Sequence, residues 1–186
     1  MSATLDRICT IPLPPIDIYR VLLTASGMAM LRYDRRVGEH VDRPVSHNAS
    51  WLDFTHMLTF ANAVRNLCTQ DPSLWPQALL QMGCFLGRNS AFLLSEPEDG
   101  WQVEDPRQFL ALERGALYDH GIREPIFACH RVKVLAAVAA ETSWAGPGAL
   151  SDHVLAATKR YLHSPMKGHH ALRLARQSLA FVEAEG

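Results

Sequence analysis

Apolar residues along this chain recur at intervals of three and four, the spacing of one helical face, and rarely alternate, so the pattern predicts helices and almost no strand. Proline, glycine and capping residues cut the chain into about six or seven segments of helical length. The first begins after Pro14-Pro15 and runs to about Arg36, and residues 37–48, with Gly38 and Pro44, read as a loop carrying His40 and His47. Ser50 followed by Asp53 is an S-x-x-D pattern whose side chains can satisfy the orphan amides of a first turn, so a second helix starts there and ends near Cys68. Ser73 with Pro76 opens a third, Asp105-Pro106 a fourth that stops at Gly121, and Pro125 a fifth that reaches about Thr142. After Gly146-Pro147-Gly148, Ser151 caps a sixth to about His163, and Gly168 precedes a seventh whose Leu172, Ala175, Leu179 and Val182 form an apolar stripe. The predicted fold is all-α: a compact bundle of about six or seven helices in a single domain, residues 1–186, because a chain of this length buries one substantial core and rarely two.

On a wheel of 100° per residue, the second helix shows a polar stripe of Thr55, Thr59, Asn62 and Asn66 and an apolar arc of Met57, Phe60, Ala63, Val64 and Leu67, with Asp53 and His56 inside the arc. Gly83 and Gly87 lie one turn apart within the third helix, where each costs about 1 kcal/mol against alanine. That cost favours a close approach of a neighbouring helix over room left for a ligand.

Composition narrows the function. The apolar fraction of 48%, charged fraction of 20% and net charge of −1 are those of an ordinary globular protein and supply no field for holding nucleic acid. Cys9, Cys68, Cys84 and Cys129 form no C-x-x-C, which points to free thiols rather than a zinc knuckle or dithiol motif. No run reaches the ~20 apolar residues of a membrane span, and the first residues lack the pattern of a signal peptide. The expected location is the cytoplasm. Dinucleotide, P-loop, zincin and nucleophile-elbow motifs are all missing.

What chemistry the chain offers centres on histidine. Asp53 and His56 are three residues apart on one helical face, with Asp53 able to orient the imidazole, to join it as a ligand, or simply to complete the cap. His130 and Lys133 are one turn apart on the fifth helix and share a stripe with Ile126, Ala137 and Glu141. Lys133 offers either a desolvated base or a charged clamp for an oxyanion; the plain alternative is a wet face with Lys133 and Glu141 both in water. His120 precedes Gly121 at a helix end, where it can meet the last carbonyls, and His47 lies just before the second helix. His47, Asp53, His56, His120 and His130 together would suit iron, copper or zinc, although their spacing matches no standard metal motif and no E-x-x-H pair of a di-iron centre occurs. A bound transition metal, iron first, and no cofactor at all both stay open. The C-terminal Lys159, Arg160, His163, Lys167, His169, His170, Arg173 and Arg176 read as a solvated basic face that could also receive an acidic partner.

One family can be set beside these residues. His47-Asn48, Trp51-Leu52-Asp53-Phe54-Thr55-His56, Thr59, Pro72-Ser73-Leu74-Trp75, then Tyr118-Asp119-His120-Gly121 and Cys129-His130-Arg131-Val132-Lys133 resemble the C-terminal half of questin oxidase-like proteins. The resemblance covers residues 47 to 133 and its motifs are short. It implies a helical oxygenase of the Baeyer-Villiger type acting on aromatic polyketides, with His56, His130 and Lys133 as site residues. Arg160-Tyr161-Leu162 with Pro165 and Lys167 is similar to helical regions associated with Rieske iron-sulfur domains, but no Cys-x-His ligand pair occurs here, and the N-terminal half of the questin oxidase-like proteins has no counterpart.

Two functions follow as expectations. One is a small helical oxidoreductase, or a subunit of one, with a polar pocket between the second, fourth and fifth helices lined by His56, His120, His130 and Lys133 and open to a small-molecule substrate. The other is a non-catalytic helical protein that docks on a redox partner through its basic C-terminal helices, its histidines serving only the core.

Overall fold

A computed structural model describes residues 12–39, 47, 49–119, 122, 125–146, 150, 152–165 and 170–185. These form seven α-helices: α1 Pro15–Arg32, α2 Trp51–Gln70, α3 Trp75–Asn89, α4 Pro106–Ala116, α5 Pro125–Ala145, α6 Asp152–His163 and α7 His170–Glu185. The all-α bundle is the one the periodicity predicts, and among the described residues the only ladder contact is a single antiparallel bridge between Tyr33 and Leu93. α1 packs on α2, α3 and α6, while α2 also meets α3 and α5; α5 in turn carries α4 and α6. The core follows those contacts, with Tyr19, Leu23 and Met30 of α1, Phe54 and Leu58 of α2, Val134 and Val138 of α5, and Val154 and Tyr161 of α6 all buried. No helix among the described residues is long and apolar enough to cross a membrane.

The start of α2 is built as the S-x-x-D pattern predicts. Ser50 Oγ accepts from Leu52 N at 3.2 Å and Asp53 Oδ2 accepts from Ser50 N at 2.8 Å, completing a capping box. Asp105 likewise opens α4 by accepting from the amides of Arg107 and Gln108. Gly146, at φ +84°, closes α5 just after Ala145, a few residues beyond the expected end at Thr142.

Several boundaries move for identifiable reasons. α1 stops at Arg32 rather than Arg36, because the chain turns extended to pair with the segment after α3: Leu94 N donates to Arg32 O at 2.7 Å and Asp34 N to Phe92 O at 3.0 Å. A short 3-10 turn, Arg35–Glu39, follows. Asp71, not Ser73, makes the cap before α3, its Oδ1 accepting from Ser73 N at 3.1 Å, and a 3-10 turn Pro72–Leu74 precedes the helix proper. α4 ends at Ala116, short of Gly121. Gly121, His40, Ser151 and Gly168 lie outside the described residues.

The buried face of α2 is rotated from the expected arc. Phe54, Thr55, Leu58, Ala61, Arg65 and Cys68 point inward, whereas Ala63 and Leu67 are exposed, Leu67 by 56%. Thr55 enters the core because its hydroxyl is satisfied within the helix by Leu52 O at 3.3 Å, and Arg65 enters because a carboxylate awaits it there. The α7 stripe also differs in its surroundings: Ala175, Leu179 and Val182 are exposed, while the side chain of Leu172 lies outside the described residues.

The glycines separate by what a methyl group would meet. Gly83 and Gly87 have nothing within 4 Å of a built Cβ, so close helix approach does not explain them. Alanine at either should raise the unfolding free energy by about 0.5–1 kcal/mol in a denaturant titration. Gly27 behaves oppositely. It is buried in α1 against the first turn of α6, where a Cβ would stand 2.9 Å from the backbone of His153 and Val154. Backbone cannot swing aside, so Gly27→Ala is expected to cost about 2 kcal/mol in the same titration, overpacking outweighing the gain in helix propensity. A neutral Gly27→Ala would contradict the close α1–α6 contact.

Candidate functional site

The expected meeting of distant histidines takes place between α2 and α5. His56 Nε2 and His130 Nε2 stand 3.1 Å apart across 74 residues of sequence, with ring centroids 5.1 Å apart at 62°. His130 is buried and His56 exposed, so the pair reaches from the interhelical seam to the surface. His130 Nδ1 lies 2.7 Å from Ile126 O, one turn back in α5. A carbonyl can only accept, so Nδ1 carries the proton, and neutral His130 presents a lone pair at Nε2. The contact then requires His56 to donate from Nε2, which leaves Nδ1 of the exposed ring as the acceptor. One backbone carbonyl thus sets the tautomers of both rings.

Burial and neighbouring charge disfavour the protonated form of the outer ring. Burial against α5 lowers the pKa of His56 from its ordinary 6.5, and His130 and Lys133 lower it further against the opposing charge of Asp53. Since the unfolded chain binds the proton more readily, the stability tied to His56 is fully present above about pH 6.5 and falls as pH drops through the depressed folded value.

Lys133 is exposed on α5 one turn beyond His130, and its charge reaches His56. Asp53 does not orient His56: its Oδ2 is held by Ser50, and its Oδ1 is 3.4 Å from Arg88 Nη2 at the end of α3. Asn89 adds a bond from Nδ2 to Asp53 O at 3.1 Å, so this corner is a structural tie between α2 and α3. His47 is exposed, and His120 lies outside the described residues. Among the described residues no group of three or more His, Cys, Asp or Glu side chains is arranged to hold a metal, so the five-residue ligand set does not assemble there.

Glu141, read as a companion of Lys133 on one stripe, is instead buried. Its carboxylate accepts from Arg65 Nε at 2.8 and 2.9 Å and from Asn62 Nδ2 at 2.8 Å, and the Arg65 guanidinium lies 4.9 Å from the Trp144 ring centroid. Tyr19 buries its hydroxyl beside this pair, and desolvation raises that phenol's pKa. α2 and α5 therefore run in the same sense, joined by paired histidines at one end and an ion pair at the other. The sequence reading missed Arg65, although its place nine residues after His56, against eleven from His130 to Glu141, carries the signal of two such helices.

The basic C-terminal set is partly internal. Arg160 is fully buried, Lys159 Nζ donates to Gln102 O at 2.8 Å, and His163 Nε2 is 2.6 Å from Glu113 Oε1. Those three do not form a free basic face. A cleft of 580 Å³ lies between α4, α5 and α6, lined by Arg107, Leu110, Arg114, Thr142 and Leu155 among others, and it includes none of His56, His130 and Lys133. Fold and site together define an all-α protein with a paired-imidazole centre on the α2–α5 seam. No family model, curated protein or solved structure matches the chain.

Proposed function

We propose that this chain is a small helical oxidoreductase, or a subunit of one, whose working centre is the His56–His130 pair with Lys133 beside it. The observation that carries the reading is the 3.1 Å approach of two Nε2 atoms from helices far apart in sequence, one ring locked by Ile126 O and the other open to solvent. The buried imidazole bonds Ile126 O on one side and the exposed imidazole on the other, so it fixes and presents His56. With His56 Nε2–H donated inward, Nδ1 is the group that can take a substrate proton, and its neutral state near pH 7 suits that task. Lys133 supplies the positive charge that would balance an oxyanion as it forms. The reaction class comes from the resemblance to questin oxidase-like proteins, which points to oxygen insertion into an aromatic polyketide.

The test is oxygen uptake by the full chain given a polyhydroxylated anthraquinone and an added reductant. Substrate-dependent uptake is expected, and uptake indistinguishable from the buffer control across aromatic ketones and phenols would remove the reading. A second reading, a non-catalytic protein docking on a redox partner, is favoured by one observation: Leu179, Phe181 and Val182 of α7 are 64%, 62% and 65% exposed. Partner binding that survives His56→Ala and His130→Ala in an inactive chain would favour this second role.

A further inference from the structure

The geometry points to the His56–His130 pair as a seat for one divalent first-row transition-metal ion, bound by the two Nε2 atoms with its other positions open to water or an anion. This inference rests on the same pair as the proposed function but describes a second state of it, because an ion held at Nε2 leaves His56 protonated at Nδ1 and unable to take a substrate proton there. Two imidazoles on one ion, at metal–nitrogen distances of about 2.0–2.1 Å, hold their nitrogens about 2.9–3.4 Å apart for angles between square and tetrahedral. His56 Nε2 and His130 Nε2 stand at 3.1 Å.

The inner ligand is already in the tautomer an ion requires. His130 Nδ1–H is anchored on Ile126 O at 2.7 Å, the kind of outer partner that fixes ligating imidazoles, and its lone pair sits at Nε2. His56 needs one change, transfer of its proton from Nε2 to Nδ1, which water can carry because the ring is exposed. No proton is lost overall, so a neutral pair becomes a bidentate site without charge separation. Imidazole nitrogens select zinc, copper, nickel or iron over magnesium and calcium, which take oxygen ligands. With no third protein ligand among the described residues the site is open, and the charge of Lys133 favours an anionic external ligand such as hydroxide, carboxylate or phenolate.

Cobalt(II) titration of the full chain tests this through its visible d–d bands. The expected result is saturable bands at one equivalent, displaced by zinc. Both His56→Ala and His130→Ala should weaken binding by at least about 10–100-fold, the range that loss of an outer-shell partner alone already causes. His56→Gln repeats the test at an exposed position that does not endanger the fold, and His163→Ala, whose ring is committed to Glu113, should bind as the parent does. Zinc should also switch His56 from the Nε2–H to the Nδ1–H tautomer in long-range ¹H–¹⁵N spectra. Absent bands, or bands that survive both alanine substitutions, overturn the site. If cobalt gives no bands while metal-free protein turns over through His56, the ion fails and the acid–base reading stands; if the pair binds cobalt but no oxygen uptake occurs, the ion stands and the oxidoreductase reading fails.

Discussion

Replacing Arg160 with alanine is expected to lower the unfolding free energy by about 3–5 kcal/mol, the range for stripping one partner from a buried charged network. Arg160 is fully buried at the centre of four partners. Its Nη1 donates to Met30 O, its Nη2 donates to Tyr33 O at 2.8 Å, its Nε donates to Glu98 Oε2 at 3.0 Å, and the guanidinium lies 5.1 Å from the Trp51 ring centroid. Both carbonyls lie where α1 ends, and Met30 O accepts from Tyr33 N at 3.4 Å as well, so this side chain from α6 helps close the C-terminus of α1. Arg160→Lys should rescue little, since a single ammonium cannot span both carbonyls and a carboxylate. The network also has a pH signature. Arg160 holds the Glu98 pKa below its ordinary 4.5, so its contribution is present above that value and is lost as pH falls through the lower folded one. Denaturant titrations at neutral and acid pH should therefore show a smaller acid loss in Arg160→Ala than in the parent. A change under 1 kcal/mol at neutral pH would mean the carbonyls find water instead.

His56→Ala should reduce turnover in the oxygen-uptake assay by roughly 10²–10⁴-fold, the usual worth of a positioned acid–base group. The ring is exposed, so the loss should come without unfolding, which circular dichroism checks. His130→Gln is the informative companion: an amide oxygen at that place can still accept from His56 Nε2, and activity should return above that of His130→Ala. Asp53→Asn should leave turnover at neutral pH unchanged, since losing the charge that opposes the lowering only favours neutral His56 further, and should cost about 1 kcal/mol of stability because the carboxylate bonds Ser50 and Arg88. Equal activity in His56→Ala and the parent would place the chemistry elsewhere.

Much of the scaffold was legible because local rules and packing agree. Ser50 with Asp53, Asp105 with Pro106, and Pro125 each mark a helix start where the structure has one. The convergence of His56 and His130 was also within reach, since each sits at the start of a long helix. What could not be read is governed by non-local partners. Arg65 looks like a surface residue until its acceptor, Glu141, 76 residues away, is in place. Arg160 reads as part of a basic stretch, yet its environment is set by the ends of α1 and by Glu98, remote in sequence. The glycines show the same limit: the spacing of Gly83 and Gly87 suggests a helix crossing, while the crossing occurs at the isolated Gly27.

The most direct measurement is the protonation of the two imidazoles in metal-free protein, followed by long-range ¹H–¹⁵N spectra through a pH titration. A coupled pair predicts His130 protonated at Nδ1, His56 protonated at Nε2, and a His56 midpoint below 6.5 that moves back up in His130→Ala. A His56 ring that titrates at its ordinary value, and does so whether or not His130 is present, would contradict the account.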